Sequence, residues 1–144
     1  MIRAAVPGDT DRLAELALLL WPGHEAGELR QELAALLKRE DARFFLKETA
    51  GELAGFAQCQ LRRDYVEGTC SSPVGYLEGI FVKEPFRRRG YARELLAVCE
   101  NWAREQGCGE FASDCPVENG GSIGFHRAAG FGEASRIVCF VKEL

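Results

Sequence analysis

The sequence predicts an α/β protein, in which a mixed sheet is covered by helices on both faces. Strand-like runs alternate with helix-like runs along the chain, which is the pattern of a layered sheet-and-helix fold. The helical runs repeat apolar residues at helical spacing, and the strand-like runs end at glycine, proline or polar clusters. At 144 residues the chain has the length of a single domain, 1–144, which can bury about 70% of its unfolded surface.

The amino-terminal half is predicted to contain a strand, two helices and a hairpin. These predicted elements are a strand at 2–6, a helix at about 10–20, a second helix at about 25–40, and hairpin strands at 42–49 and 52–61. Asp9 or Thr10 can cap the first helix, and the Trp21-Pro22-Gly23-His24 segment ends it. Ala50-Gly51 is typical of the turn between the hairpin strands.

The carboxyl-terminal half repeats the alternation after a polar loop. Its predicted elements are a loop at 62–73, a strand at 76–82, a helix at 92–103, a short strand at 110–114, a helix at 122–129 and a final strand at 136–141. The helix at 92–103 carries one apolar face, formed by Ala92, Leu95, Leu96, Cys99, Trp102 and Ala103.

An Arg/Gly turn, Phe86-Arg87-Arg88-Arg89-Gly90-Tyr91-Ala92, joins the strand at 76–82 to the helix at 92–103. Free amides at a helix start, the helix dipole and a glycine that permits close approach together favour the binding of a phosphate group. The turn is neither a Walker loop nor a dinucleotide fingerprint, because both glycine patterns are absent. The alternative is a solvated basic turn, but the buried elements on either side favour a rigidly held anion site.

Composition and charge narrow the possible partners. The net charge of −4 and the sequence pI of about 5.3 argue against nucleic acid, whose binding needs a basic face. An acidic chain suits a cationic substrate, although charge alone is weak evidence. The longest apolar run, 16–21, is too short to span a membrane, and residues 1–20 lack a signal-peptide pattern. We therefore expect a cytoplasmic protein without membrane or nucleic-acid partners.

The six cysteines stand far apart, at positions 59, 70, 99, 108, 115 and 139, and form no Cys-x-x-Cys pair. Since the chain has only two histidines, His24 and His126, a zinc site is not expected and we predict no metal. We expect reduced thiols that pack as small apolar groups.

Arg87-x-x-Gly90-x-Ala92 resembles the signature with which the GNAT N-acetyltransferase superfamily binds the pyrophosphate of acetyl-coenzyme A. Further blocks, spread over most of the chain, resemble the aminoglycoside 6′-N-acetyltransferases of that superfamily. These blocks are Leu20-Trp21-Pro22-Gly23-His24, Arg63-Asp64-Tyr65-Val66, Ser71-Ser72-Pro73, Leu77-Glu78-Gly79-Ile80-Phe81-Val82 and Ala112-Ser113-Asp114. The resemblance implies a sheet of about six or seven strands, splayed between the fourth and fifth.

The same resemblance implies the activity: transfer of an acetyl group from acetyl-coenzyme A, as co-substrate, to the 6′-amine of aminoglycoside antibiotics, a resistance function. It also implies direct attack by the amine, without a covalent enzyme intermediate. Two alternatives stay open. One is a GNAT transferase acting on another amine, such as a polyamine, a metabolite or a protein lysine. The other is a coenzyme A-binding module without turnover.

Glu78 is the leading candidate for the catalytic residue. Acetyl transfer requires the acceptor ammonium to lose a proton, and a neighbouring carboxylate promotes this directly or through water. Glu78 lies inside an apolar strand whose alternate members are Tyr76, Ile80 and Val82. The alternative is an edge-strand carboxylate that faces solvent. The resemblance implies that Glu78 binds the 6′-ammonium and acts as the base.

The resemblance implies binding roles for further residues. The substrate-binding residues are Trp21, His24, Tyr65, Glu78 and Asp114. The cofactor-binding residues are Ile80, Phe81, Val82, Arg87, Arg88, Arg89, Gly90, Tyr91, Ala92, Arg93 and Asn119. An amide of 80–82, near a strand bulge, is expected to polarise the thioester carbonyl. On the residues alone, Trp21 can instead be a core residue, and His24, Asp114 and Asn119 can be caps or turn residues.

The general acid departs from the superfamily pattern. Many members carry a tyrosine four residues before the last Gly-Phe, where this chain has His126 before Gly130-Phe131. His126 can protonate the leaving thiolate or can be a packed aromatic, and a thiolate with a pKa of about 8.5 can also leave unassisted.

Since similar enzymes are usually dimers, the resemblance also implies a homodimer, in which the apolar segment 137–141 could lie at the interface.

Overall fold

A five-stranded sheet with helices on both faces forms the centre of the molecule. The computed structural model describes residues 1–144. Its strands are β1 (Ile2–Ala4), β2 (Ala42–Thr49), β3 (Glu52–Arg62), β4 (Val74–Val82) and β5 (Phe111–Ser113). Its helices are α1 (Thr10–Leu20), α2 (Ala26–Leu36), α3 (Tyr91–Glu105) and α4 (Gly120–Ala128). The strands lie in sequence order; β1 to β4 pair antiparallel, and β5 pairs parallel to β4.

The helix boundaries follow local signals. The Glu25 carboxylate caps α2 by accepting hydrogen bonds from the amides of Gly27 and Glu28, at 2.9 and 2.8 Å. Asp9 is the N-cap residue of α1, but its carboxylate pairs with Arg3 and the amide of Val6 rather than capping the helix. The predicted α-helices and the hairpin are therefore confirmed, with shifts of a few residues at their ends.

Each face of the sheet has its own core, which confirms the predicted mixed sheet covered on both sides. The helices α1 and α2 pack on one face, with the buried residues Leu13, Leu16, Ala17, Leu29, Leu33, Phe44, Leu46, Leu53 and Phe56. Helix α3 packs on the other face, with Phe45, Ala57, Cys59, Leu77, Val82, Leu95, Leu96, Cys99, Trp102, Ala103 and Cys108. Neighbouring residues such as Phe44 and Phe45 serve opposite cores because side chains alternate along a strand.

The sheet opens between β4 and β5, as predicted. The two strands pair only from Gly75 to Leu77 on β4, opposite Phe111 to Ser113 on β5. Beyond Leu77, β4 continues to Val82 and pairs only with β3. The amino acids at 78–82 therefore present one unpaired strand edge to the opening.

The expected count of six or seven strands is wrong, because the predicted final strand at 136–141 does not form. Residues 131–144 contain no helix or strand, and Phe140 is 92% exposed. The apolar pattern of this segment is that of a strand, but a strand needs a neighbour, and within one chain the segment pairs with none. The sheet therefore has five strands.

All six cysteines are free thiols. Cys59, Cys99 and Cys108 are buried as predicted, whereas Cys70 and Cys139 are exposed and do not pack as apolar groups. A hydrogen bond with Cys59, together with burial, raises the pKa of the Cys99 thiol well above its ordinary value. None of the helices combines the length and the apolar character needed to cross a bilayer.

Candidate active site

A β-bulge in β4 shapes the candidate site. Gln58 on β3 stands opposite Gly79, whereas the next residue, Cys59, stands opposite Leu77, so that Glu78 is the extra residue. The bulge was expected near 80–82 and lies earlier. It also corrects the predicted alternation: Ile80 and Val82 pack in the α3 core, whereas Phe81 packs against the α1–α2 core. Glu78 therefore does not share a face with Ile80 and Val82.

Glu78 is paired with an arginine that the sequence did not indicate. Nη2 of Arg62, the last residue of β3, donates to both carboxylate oxygens of Glu78, with 2.8 Å to Oε2 and a shorter contact to Oε1. The Glu78 side chain is 13% exposed and that of Arg62 is 43% exposed. With the arginine in place, the carboxylate is largely shielded from water.

Tyr76 links this ion pair to Asp114. The guanidinium carbon of Arg62 lies 3.4 Å from the centre of the Tyr76 ring, and the Tyr76 hydroxyl donates a hydrogen bond to Oδ2 of Asp114. Burial, followed by the contact with Asp114, raises the pKa of the Tyr76 phenol, which therefore stays protonated and remains a donor. The two predicted substrate carboxylates, Glu78 and Asp114, thus belong to one contiguous cluster.

Trp21 lies directly against β4. A Cβ atom placed on Gly79 would stand 2.6 Å from Cζ2 of Trp21, so the glycine makes room for the indole beside Glu78. The indole also packs edge-on against Phe56, with 6.0 Å between ring centres, and its ring centre lies 6.3 Å from that of His24. The predicted pair Trp21 and His24 is brought together, with Trp21 half-buried and His24 exposed.

Tyr65 lies in the loop at 63–73 and is largely exposed. Its side chain is 77% exposed and makes no hydrogen bond or ring contact with the other predicted residues. The neighbouring Val66 is buried against Tyr76, which anchors the loop at 63–73. The same loop is tied to Glu110, whose carboxylate accepts from the Cys70 amide at 2.9 Å and from the Ser71 hydroxyl.

The Arg/Gly turn leads into α3 with an uncapped helix start. The first backbone hydrogen bond of α3 runs from the Glu94 amide to the Gly90 carbonyl, and no side chain caps the helix. Gly90 has a φ of +80°, with no atom within 4 Å of an added Cβ, and Arg88 also has a positive φ of 64°. Open amides beside free space and basic side chains fit a bound anion.

The arginines of the turn differ in their contacts. Nε of Arg87 donates to the Val82 carbonyl at 2.8 Å, and its guanidinium lies 5.4 Å from the centre of the Phe81 ring, so Arg87 ties the turn to β4. Arg89 lies over Phe86 at 5.7 Å. Arg88 is exposed and makes no hydrogen bond, which leaves its guanidinium free for an anion.

The remaining predicted cofactor residues lie at two helix starts. Tyr91 and Ala92 open α3. Arg93 follows them, and its guanidinium donates to the Ala128 carbonyl at the end of α4. Asn119 caps α4 by accepting from the Ser122 amide at 3.1 Å, so its predicted capping role is present. Its amide nitrogen makes no hydrogen bond and is free for another partner.

His126 is hydrogen-bonded through both ring nitrogens. Nδ1 lies 2.7 Å from the Ser122 carbonyl, so it carries a proton, and Nε2 lies 2.8 Å from the Ser113 hydroxyl. The ring packs edge-on against Phe131, with 5.1 Å between centres. The single Ser113 hydroxyl proton can be donated either to this Nε2 or to the Leu77 carbonyl, at 3.3 Å. His126 is therefore a packed aromatic that reaches β4 only through the Ser113 hydroxyl.

Three residues of this cluster were not predicted as site residues: Arg62, Tyr76 and Ser113. Arg62 is the first residue of the predicted loop at 62–73, and nothing in the sequence indicated its partner, 16 residues further along the chain. A signal was present for the other two, because Tyr76 alternates with Glu78 and Ser113 precedes Asp114. No group of three or more His, Cys, Asp or Glu side chains that could hold a metal ion is present.

The fold and the site together fit an enzyme of the acetyltransferase class, with an uncapped helix start beside basic side chains and a carboxylate cluster where β4 and β5 separate. The chain belongs to the acetyltransferase (GNAT) family, whose family model matches residues 10–131.

Similar proteins share its full length. The aminoglycoside N(6′)-acetyltransferase type 1 of Stenotrophomonas maltophilia is 45% identical over 140 residues, which cover 96% of this chain and 90% of that protein. The solved structure of AAC(6′)-Iy with the bisubstrate analogue CoA-S-monomethyl-acetylneamine has a TM-score of 0.95 at 37% identity, covering 100% of this chain and 98% of that one. The apo structure of AAC(6′)-IG from Acinetobacter haemolyticus has a TM-score of 0.95 at 35% identity, with coverage of 100% and 99%.

Proposed function

We propose that this chain is an aminoglycoside 6′-N-acetyltransferase, which transfers the acetyl group of acetyl-coenzyme A to the 6′-amine of aminoglycosides and so gives antibiotic resistance. The observation that carries the proposal is the joining of Glu78 and Asp114 through Tyr76 and Arg62, which creates a carboxylate cluster already holding a cation. Similarity to aminoglycoside N(6′)-acetyltransferases, 45% over most of the chain in one case, supports the same acceptor.

The Arg/Gly turn is the proposed binding site for coenzyme A. Its free helix amides and the open space at Gly90 fit a diphosphate, with Arg87, Arg88 and Arg89 supplying positive charge. Tyr91, Ala92 and Arg93 provide the helix start. The backbone of Ile80, Phe81 and Val82, unpaired toward the opening, is proposed to pair with the pantetheine arm, and Asn119 to contact its end. Acetyl-coenzyme A supplies an activated acetyl thioester when bound.

The acceptor is proposed to bind among the carboxylates and the aromatic rings. Glu78 binds the 6′-ammonium and removes its proton, and Asp114 binds a second ammonium through its free Oδ1. Deprotonating an amine two units below its pKa costs about 3 kcal/mol, which a neighbouring carboxylate reduces. Trp21, His24 and Tyr65 provide flat rings that contact the cationic sugars.

The protein's remaining tasks are to stabilise negative charge and to return a proton. A backbone amide among residues 80–82 is proposed to donate a hydrogen bond to the carbonyl oxygen. His126 is the proposed proton donor for the thiolate. Because the Ser122 carbonyl holds the Nδ1 proton, the donor must be the doubly protonated ring: its Nε2 proton would pass to the Ser113 hydroxyl while that hydroxyl gives its own proton to the thiolate. The amine attacks directly, and no enzyme side chain forms a covalent bond.

Thiol release on mixing the protein with acetyl-coenzyme A and kanamycin or tobramycin tests the function. We expect release with these 6′-amino drugs and none with an aminoglycoside that carries a 6′-hydroxyl. Release with spermidine or a lysine peptide, but not with the drugs, would indicate a transferase for another amine. No release with any acceptor would indicate a coenzyme A-binding module.

Glu78→Gln tests the proposed base. Because a positioned base contributes about 10²- to 10⁴-fold to a rate, we expect kcat to fall by at least about 100-fold across pH 6–9. The measurement is the steady-state rate at saturating drug, with Glu118→Gln as a control for loss of one exposed carboxylate near the site. Full turnover of Glu78→Gln over this range would refute the assignment.

Three broader properties are proposed as well. Residues 1–144 form one domain, since both cores share one sheet. The protein acts in the cytoplasm, where acetyl-coenzyme A is made and where its six free thiols stay reduced. It forms a homodimer through the exposed apolar residues Ile137, Val138, Phe140 and Val141. Its partners are then a second copy and a cationic drug.

A further inference from the structure

We propose that Arg62 is a specificity-determining residue that competes with the substrate's 6′-ammonium for Glu78. In the free enzyme the guanidinium occupies the carboxylate, and an acceptor must displace it to reach the base. The inference rests on the proposed function, because it takes Glu78 as the group that binds the reacting ammonium.

The contacts of Arg62 match those that a substrate cation needs. Its Nη2 donates to both oxygens of Glu78, and its guanidinium lies over the Tyr76 ring, 3.4 Å from the ring centre. A carboxylate and an aromatic face are the two groups that recognise an ammonium on a sugar. Arg62 therefore fills, from within the chain, the place proposed for the acceptor.

Arg62 is also held loosely enough to leave. Only one of its guanidinium nitrogens makes a hydrogen bond, and its side chain is 43% exposed. It is the last residue of β3, at the start of the loop 63–73. Arg3 shows the contrast: two of its nitrogens bind the Asp9 carboxylate, which is 8% exposed. A single-nitrogen contact at a strand end is the weaker attachment.

Displacement separates ammonium acceptors from hydroxyl acceptors. An ammonium replaces the guanidinium with another cation, so its binding is reduced by the strength of the Arg62–Glu78 pair. A neutral hydroxyl cannot replace a cation, and an aminoglycoside with a 6′-hydroxyl leaves the pair intact. Removing Arg62 should therefore strengthen binding of the 6′-amine and leave the 6′-hydroxyl compound with only the general effect of one lost positive charge.

The test uses neomycin and paromomycin, which differ only in a 6′-amine and a 6′-hydroxyl. Their dissociation constants are measured by calorimetry on the full chain with saturating coenzyme A, for wild type and for Arg62→Gln. Since partly exposed ion pairs are modest in strength, we expect the paromomycin-to-neomycin ratio of dissociation constants to rise about two- to fivefold. Arg63→Gln removes the same charge from the next residue, and its ratio should stay at the wild-type value.

Arg62→Lys keeps a competing cation with weaker stacking, so its ratio should lie between those of wild type and Arg62→Gln. If Arg62→Gln does not fold, the ratio of Arg62→Lys should still exceed that of wild type measurably. Equal changes for both drugs would overturn the proposal, and so would weaker neomycin binding in Arg62→Gln, which would mean that Arg62 holds Glu78 in place. A wild-type enzyme that fails to acetylate neomycin would instead refute the proposed function, independently of these ratios.

Discussion

Gly79 decides whether Trp21 can lie beside Glu78 on β4. Besides the indole contact at 2.6 Å, an added Cβ would stand 3.2 Å from Cδ2 of Leu20. The indole cannot retreat toward the core, because it is packed edge-on against the fully buried Phe56. Any side chain at position 79 must therefore push Trp21 out of its place.

Gly79→Ala is expected to weaken drug binding more than cofactor binding. Overpacking costs about 1–3 kcal/mol, so displacement of the indole should raise KM for kanamycin about 10-fold. KM for acetyl-coenzyme A should stay within about twofold, because the Arg/Gly turn is not touched. Both constants come from steady-state kinetics, with Gly109→Ala, where an added Cβ meets nothing within 4 Å, as the matched control. An unchanged KM for kanamycin would show that Trp21 does not line the drug site.

At the scale of elements, two ion pairs tie strands of the sheet to the starts of helices. Lys47 on β2 lies 2.6 Å from the Glu94 carboxylate in the first turn of α3, and 4.4 Å from the centre of the Tyr91 ring. This contact fixes the helix start on which the Arg/Gly turn depends. Arg3 on β1 pairs with Asp9, at the start of α1.

Lys47→Met should loosen the cofactor end of α3. The side chain of Lys47 is 11% exposed, so its loss leaves Glu94 without a partner and Tyr91 without its cation contact. We expect KM for acetyl-coenzyme A to rise about three- to tenfold, with KM for kanamycin little changed. Lys38→Met, on an exposed and unpaired lysine, is the control. Equal rises in both constants would mean a general loss of structure instead.

The Arg3–Asp9 pair should be visible in the pH dependence of stability. Hydrogen bonding by Arg3 lowers the pKa of the Asp9 carboxyl from 3.8 to about 2 in the folded protein. Because the folded value is the lower one, the stabilisation is complete above pH 4 and is lost as the pH falls through 2. The difference in unfolding free energy between wild type and Asp9→Asn, from urea titrations, should shrink by about 2 kcal/mol between pH 5 and pH 2. A constant difference would show that the pair does not shift this carboxyl.

Most element boundaries were predictable because their causes are local. The Ala50-Gly51 turn and the break at Trp21-Pro22 act through neighbouring residues, and both are confirmed. The bulge at Glu78 was not predictable, because the residue pattern of β4 fits a regular strand. Only the pairing register with β3 shows that Glu78 is an extra residue. The final strand failed for the related reason that a strand needs a neighbour, which a local pattern does not supply.

The difference between local causes and contacts between distant segments also applies to the candidate site. Glu78 stood out because an acid inside an apolar strand is locally unusual. The ion pair with Arg62 and the link from Tyr76 to Asp114 join residues on different strands, and no periodicity indicates them. Sequence reasoning therefore found the carboxylates and missed the groups that bind them in the free protein.

At the scale of the whole molecule, the segment after α4 is the feature that a single chain leaves unexplained. Val138 and Val141 are 77% and 98% exposed, and residues 131–144 contain no helix or strand. Strand β5 pairs only with β4 and keeps its other edge free. An exposed apolar segment and an unpaired strand edge are each typical of an interface. A second copy of this chain, with the same segment and the same edge, can satisfy both.

Charged residues in this segment should therefore separate the protomers. Val138→Asp with Phe140→Asp places two carboxylates where the proposed interface needs apolar groups, and each costs several kcal/mol if buried unpaired. We expect sedimentation equilibrium to give the mass of a dimer for wild type, against 15.9 kDa for one chain, and the mass of a monomer for the double variant. Leu19→Asp, at a residue 57% exposed on α1, should remain dimeric. A double variant that keeps the wild-type mass would place the interface elsewhere, and a monomeric wild type would remove the need for one.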